Sequence, residues 1–303
     1  MALLLKAGVA GAGVFGGYHA RKYASLPDVD LVAVYDHHLP RAQALAAELG
    51  AKAFDDLDAF LEAVDVATVA TPADSHAPLA RFALAAGRHC YVEKPLAVGR
   101  DDADALVTAA AEWGLVLACG HQERVVFQAM GLMSAPERPL RIEAVRRGTP
   151  SDRNRDVSCV LDLMIHDLDL GLALAGGWTD VEAKGGFDDL AAEVDFGGGC
   201  TGRFEASRVA EWRERTMRLV YPSGAVEIDF LAPSFADGAR FGLNADFAAT
   251  AQGRDPLGAS VAAFLAAVRG EAARPAVTGA EGAAALDLAL AIEAAARGRG
   301  GSF

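Results

Sequence analysis

Two stretches of the chain carry residue types suited to moving protons. The first is Cys90-Tyr91-Val92-Glu93-Lys94-Pro95, a short apolar run that ends in a carboxylate, an amine and a proline. Proline confines the residue before it to extended backbone, so Lys94 sits at the mouth of a strand. An amine stripped of water at a sheet edge is suited to proton transfer. A strand ending in a solvated Glu93–Lys94 pair is the plainer alternative. The second stretch is Val160-Leu161-Asp162-Leu163-Met164-Ile165-His166-Asp167-Leu168-Asp169-Leu170. Asp162, His166 and Asp169 fall at i, i+4 and i+7, on one face of a helix. A histidine flanked by carboxylates is placed for acid/base work, whereas Asp167 reads as a solvated side chain. A carboxylate and a histidine at this spacing can also share a cation. Nothing nearby supplies the further ligands, so no metal is expected.

The elements that must hold these residues follow from the pattern around them. Residues 3–10 read as a buried strand, followed by Gly11-Ala12-Gly13-Val14-Phe15-Gly16 and a helix through about residue 23. The glycine motif gains meaning from a strand before it and a helix after it. Gly11 permits the tight turn, Gly13 lets a pyrophosphate approach the backbone, and Gly16 lets helix and strand pack closely. Val14 and Phe15 open the helix whose amides face the phosphates. The next strand, 31–35, ends in Asp36, where a carboxylate can accept from ribose hydroxyls and repel a 2′-phosphate. The cofactor expected is therefore NAD in preference to NADP, with a capping or turn aspartate as the alternative.

Strands and helices go on alternating. Helices are expected over 41–49, 57–63, 76–86 and 101–113, and strands over 51–54, 66–70, 89–92 and 115–119. Such β-α units imply an α/β fold with a parallel, doubly wound sheet and ligands beyond the strand C-termini. Gly11, Asp36, Thr71, Glu93, Lys94 and His121 all fall just past such ends. After residue 121 the pattern changes to strands alternating polar and apolar residues, at 141–147, 192–196, 201–209, 217–221 and 225–230. These fit an open, mostly antiparallel sheet, and alanine-rich helices are expected at 261–269 and 282–297. The expected domains are residues 1–121 and 122–303.

The totals bound the function. A 303-residue chain with 52% hydrophobic residues can bury a sizeable core. A formal charge of −13 argues against nucleic acid or an anionic membrane as partner. Four cysteines, at positions 90, 119, 159 and 200, have no metal-ligand or Cys-x-x-Cys spacing and read as buried thiols. A cytoplasmic protein is expected, since no apolar run is long enough to span a bilayer. Arg146, Arg147, Arg153 and Arg155 could meet phosphate, or form a solvated basic loop.

With these residues assembled, the chain resembles the glucose–fructose oxidoreductase/inositol dehydrogenase (Gfo/Idh/MocA) family. The resemblance rests on the glycine motif with His19, Ala70-Thr71-Pro72 with His76, Glu93-Lys94-Pro95, Gly120-His121 with Arg124, and Asp162-x-x-x-His166-x-x-Asp169. It implies a nucleotide-binding Rossmann domain and a second α/β domain for substrate and oligomer contacts. It places Lys94 beside the nicotinamide and the reacting hydroxyl, His166 as proton acceptor or relay, and Asp162 on substrate hydroxyls. Thr71 and Pro72 would lie near the nicotinamide, with His76, Glu93 and His121 among the cofactor residues and Arg124 at the substrate. The implied activity is hydride transfer between NAD(P) and a secondary hydroxyl of a sugar, nucleotide-sugar or cyclitol, by a homodimer or homotetramer. An NAD-dependent glycosidase using transient oxidation and a non-catalytic NAD sensor are the alternatives. In two respects the chain departs from the family. It is short, and Asp156-Val157-Ser158-Cys159-Val160 replaces a glycine-rich stretch before the aspartate.

Overall fold

A computed structural model describes residues 4–151, 156–301 and 303. It divides the chain into two compact units: residues up to His121 with Leu257–Ala283, and Gln122–Pro256 with Ala284–Phe303.

The first unit is built on β1 (Leu5–Ala10), α1 (Val14–Ser25), β2 (Val29–Tyr35), α2 (Leu39–Leu49), β3 (Lys52–Phe54) and α3 (Leu57–Ala63). It continues through β4 (Val66–Val69), α4 (His76–Ala85), β5 (His89–Val92), α5 (Arg100–Glu112) and β6 (Leu117–Cys119). The strands form one parallel sheet in the order β3-β2-β1-β4-β5-β6, whose strand order reverses between β1 and β4. Crossover helices cover such sheets on both faces, so central strands are apolar throughout. All four residues of β4 are buried. The backbone ladder runs one residue past several strands: Gly11 donates to Tyr35 O at 2.7 Å, Glu93 to Val69 O at 2.9 Å, and Gly120 to Val92 O at 2.8 Å. These three residues just past the strand ends are held by the sheet.

Residues 257–283, which the sequence reading assigned to the second domain, pack with the first unit. Val261, Phe264 and Leu265 of the helix Pro256–Val268 form an apolar stripe within the core that contains Val9, Tyr91 and Ala118. Phe264 meets Tyr91 edge-on, and Tyr91 Oη lies 3.0 Å from Ser260 Oγ. Cys119 N then donates to Val277 O at 3.1 Å, so the returning chain runs beside β6. An amphipathic stripe does not say which apolar face it covers, so spacing alone could not assign this helix.

The second unit contains α6 (Glu123–Met130), β7 (Arg141–Arg147), a π-helical turn (Val160–Met164) running into α7 (Ile165–Ala175), then β8 (Asp180–Gly185) and β9 (Asp189–Asp195). Strands β10 (Thr201–Ser207), β11 (Glu214–Tyr221), β12 (Gly224–Asp229) and β13 (Ser234–Asp237) follow. Their order is β13-β12-β11-β7-β10-β9-β8, antiparallel except for the parallel pair β7–β10. Ile142, Ala144, Phe204, Met217 and Leu219 alternate onto the buried face. α7 lies against that face because Gly171 has no side chain; a Cβ there would come within 2.9 Å of the Phe196 ring. No disulfide is formed among the described cysteines, and all four are buried. No helix among the described residues is long and apolar enough to cross a membrane.

Phe264→Ala should therefore weaken the core of the first unit, by about 3–5 kcal/mol for a buried aromatic. Denaturant unfolding measures this. A loss below about 1 kcal/mol would mean that the helix does not belong to that core.

Candidate active site

In the first unit the glycine turn and the residues past the strand ends are tied to one another. Gly11 has φ +103°, a left-handed conformation that a side chain resists, and a Cβ there would lie 2.5 Å from Ala70 O. A Cβ on Gly16 would collide with the Gly11 carbonyl, whereas nothing lies within 4 Å of the Cβ position on Gly13. The space above Gly13 is thus open while the turn beneath it is closed. Helix α1 starts at Val14 with no side-chain cap and no acidic residue in its first turn, which suits an anion at its positive end. Asp36 accepts from Ala12 N and from His38 N, both at 2.9 Å, so its carboxylate is tied to the glycine turn. Each oxygen keeps a further lone pair for a hydroxyl. Thr71 Oγ1 is buried and has no hydrogen-bond partner among the described residues. An open glycine, an uncapped helix start, a carboxylate tied to the glycine turn and an unused hydroxyl all fit a dinucleotide.

The same unit positions Lys94, which is half-buried at the end of β5. His76 is buried, with Nδ1 2.7 Å from Pro95 O and Nε2 2.9 Å from Thr71 O. It ties the segment after β5 to the segment after β4. Burial pushes its imidazole below the ordinary value, against the opposing pull of those two carbonyls. Glu93, 6% exposed, meets His19 Nε2 at 2.7 Å. Burial works to raise the Glu93 carboxyl, but His19, Lys94 and His76 outweigh it and hold it below the carboxylate range. Gly120 leaves room for this group, since a Cβ would lie 2.8 Å from Glu93 Oε2. His121 follows and is also buried.

The second unit holds the Asp-His helix. Asp162 and Met164 belong to the π-helical turn, and His166 to the first turn of α7. The π-turn takes Asp162 out of regular helical register with His166 and Asp169; Asp162 and His166 are half-buried, while Asp169 is fully buried. Asp169 accepts from Arg124 Nε at 3.0 Å and Nη2 at 2.7 Å. Arg124, expected at the substrate, is itself 4% exposed, and the pair ties α6 to α7.

Asp167 corrects the sequence reading. It is 2% exposed and accepts from Arg146 Nε at 2.9 Å and Nη2 at 2.7 Å. Its partner Arg146 lies 21 residues earlier, on β7, so only the fold brings the two together. Arg146 Nη1 donates in turn to Glu123 Oε1 at 3.0 Å, and Glu123 Oε2 lies 2.8 Å from His166 Nδ1. Arg146 is therefore a buried framework cation, while Arg147 points to the opposite face and pairs with Glu205 and Glu214. Arg153 and Arg155 lie outside the described residues. Burial works to raise Glu123, but His166 and Arg146 outweigh it and hold its carboxyl well below the usual range. An ionised Glu123 accepts a hydrogen bond from Nδ1–H, which leaves Nε2 as the acceptor nitrogen of the neutral ring. Ahead of Asp162, Ser158 Oγ donates to Glu293 and accepts from Val160 N at 3.1 Å and Leu161 N at 3.2 Å. Sequence reasoning gave Glu123, Ser158 and Glu293 no role. Glu123 could have been found from its place beside Arg124, but its partner β7 could not.

Residues 5–121 match the model of the GFO_IDH_MocA oxidoreductase family, NAD-binding Rossmann fold. UDP-N-acetylglucosamine 3-dehydrogenase of Acidithiobacillus ferrooxidans is 38% identical over 235 residues, 75% of this chain and 74% of that protein. The chain belongs to the Gfo/Idh/MocA family. It is an oxidoreductase with an NAD-binding Rossmann domain. The crystal structure of that Acidithiobacillus enzyme superposes with a TM-score of 0.88 at 33% identity, covering 98% of this chain and 99% of that one. The scyllo-inositol 2-dehydrogenase (NAD⁺) of Bacillus subtilis is 26% identical over 69% of this chain and 68% of its own. The WlbA dehydrogenase of Bordetella pertussis, in complex with NADH and UDP-GlcNAcA, shares the fold at 22% identity, with a TM-score of 0.87 over 98% of this chain and 96% of that one.

Glu123 lies below its unfolded-state value, so its stabilisation is complete above the ordinary carboxyl value of 4.5 and is lost as pH falls through the depressed one. Glu123→Gln should therefore be less stable than the parent at neutral pH, with the difference shrinking in acid. Thermal unfolding from about pH 7 to about pH 3 checks this. A difference that stays constant across that range would contradict the ionised Glu123.

Proposed function

We propose that the enzyme oxidises a secondary hydroxyl of a nucleotide-linked N-acetylamino sugar, with UDP-N-acetylglucosamine and its 3-hydroxyl as the first candidate. The observation that carries this reading is the 38% identity to UDP-N-acetylglucosamine 3-dehydrogenase over 235 residues, which span both units. A dehydrogenase is favoured over the transient-oxidation glycosidase and the NAD sensor, because that relative is a dehydrogenase and the chain keeps Lys94, Asp162 and His166. Bound NAD supplies the acceptor for the hydride of the carbinol carbon. The hydroxyl proton must leave in the same reaction, and the chain offers Lys94 and His166 to take it. The segment carrying Lys94 is held by His76 through the Pro95 carbonyl. His166 is held through Nδ1 by Glu123 and accepts at Nε2. Asp162, one helical turn before His166, accepts hydrogen bonds from neighbouring sugar hydroxyls and orients the ring. The reverse reduction uses the same groups with the proton moving the other way. The buried thiols fit a cytoplasmic setting, and assembly as a homodimer or homotetramer belongs to the same proposal.

Incubation of the protein with NAD and UDP-N-acetylglucosamine should accumulate reduced nicotinamide together with a ketone at the sugar C3. Failure with this substrate, while another sugar class is oxidised, would replace the substrate and keep the chemistry. General acid–base groups contribute about 10²- to 10⁴-fold, so Lys94→Met and His166→Leu should each lower kcat on that scale and leave NAD affinity unchanged. Near-normal turnover in both variants would overturn the assigned roles.

A further inference from the structure

We propose that Arg215 is a substrate-binding residue that recognises a phosphate group, the diphosphate of the nucleotide-sugar in the reading given above. The inference deepens that reading and rests on it for the identity of the phosphate donor. Arg215 lies on β11 directly opposite Arg146 on β7. Residues opposed across an antiparallel pair share a face. On β11 the same alternation carries Met217, Leu219 and Tyr221, all buried, so Arg215 belongs to the face against which Arg146 is held.

The two arginines differ in what satisfies them. Arg146 donates to Asp167 and Glu123 and also lies 5.7 Å from the Phe230 ring. The arginines of the opposite face have carboxylate partners too: Arg147 with Glu205 and Glu214, and Arg218 with Glu143 and Glu227. Among the described residues the Arg215 guanidinium has neither a hydrogen bond nor an ion pair, although it is half-buried. Its guanidinium value is lowered by burial first, then by the like charge of Arg146, against the pull of Glu123; exposed Arg213 adds to the lowering, and Asp167 opposes it. A like-charged cross-strand pair is unfavourable, and so is a partly dehydrated cation without an anion.

An anionic ligand removes both penalties at once. A guanidinium matches phosphate with two parallel N–H donors, which an ammonium cannot do. The position is also chemically apt. Glu123 and Asp167, the carboxylates whose charge reaches Arg215, belong to the array that holds His166. A phosphate-bearing substrate bound at Arg215 is therefore engaged by the same unit that carries the acid/base histidine. Arg215 was not among the arginines that the sequence singled out, because its neighbour Arg146 is adjacent across the sheet and remote along the chain.

The test is calorimetric titration of the full chain, preloaded with NAD, with UDP, uridine, glucose 6-phosphate and inorganic phosphate. Charge-assisted hydrogen bonds lost in Arg215→Gln should weaken UDP binding by about tenfold to a hundredfold. Uridine binding should be unchanged by the substitution, and Arg147→Gln, on the opposite face, should bind UDP as the parent does. Arg215→Lys should recover only part of the loss. Unchanged UDP affinity in Arg215→Gln would overturn the inference while leaving the nucleotide-sugar reading intact. If glucose 6-phosphate binds in an Arg215-dependent way and UDP does not bind, the phosphate role stands and the nucleotide-sugar reading falls. A parent protein that binds none of the phosphate compounds overturns the inference outright.

Discussion

The buried Arg146 guanidinium is the interaction on which the second unit depends. It holds Asp167 with two bonds and Glu123 with a third, and Glu123 in turn holds His166. A buried ion pair is weak support for stability, because removing two charges from water offsets much of their attraction. Breaking one by removing a partner costs about 3–5 kcal/mol, since the other charge is left stranded. Such an array therefore makes a poor general stabiliser and a strict positioning device. It allows α6, β7 and α7 one mutual arrangement, the one in which His166 Nδ1 faces a carboxylate. The second pair, Arg124 with Asp169, locks α6 to α7 again one turn further on.

The first unit solves its positioning problem with backbone. A parallel sheet ends all its strands at one edge, and the ladder reaches one residue further at Gly11, Glu93 and Gly120. Side chains then tie the protruding segments together: Asp36 binds the glycine turn, and His76 joins the carbonyls of Thr71 and Pro95. The dinucleotide cradle and the lysine are thus properties of the sheet, not of flexible loops. Rigid sheet ends are where a site gains precision, since small displacements of an acid/base group lower catalysis steeply.

This division explains what the sequence revealed. The β-α alternation, the glycine turn and the residues past each strand end were legible because local signals generate them. Periodicity, glycine spacing and the proline after Lys94 all act within a few residues. The seven-stranded sheet was legible in outline from strands such as β7, whose Ile142, Ala144 and Arg146 alternate inward. The edge strands β8 and β13 escaped, being short or weakly apolar. Asp167 was misread because helical spacing ranks a charged residue as solvated unless its partner is known, and that partner sits on a distant strand. The π-helical turn before α7 was also invisible, and it shifts Asp162 out of regular helical register with His166 and Asp169. The helix Pro256–Val268 could not be assigned to the first unit, because any apolar face accepts such a stripe.

The central claim is that the Arg146–Asp167–Glu123 array fixes the protonation pattern of His166. Nitrogen-15 NMR of the imidazole in the intact protein, recorded with the ring neutral, tests it most directly. The account predicts a single tautomer with the proton on Nδ1 and an unprotonated Nε2. A ring protonated on Nε2, or the mixture of tautomers found in free imidazole, would contradict it.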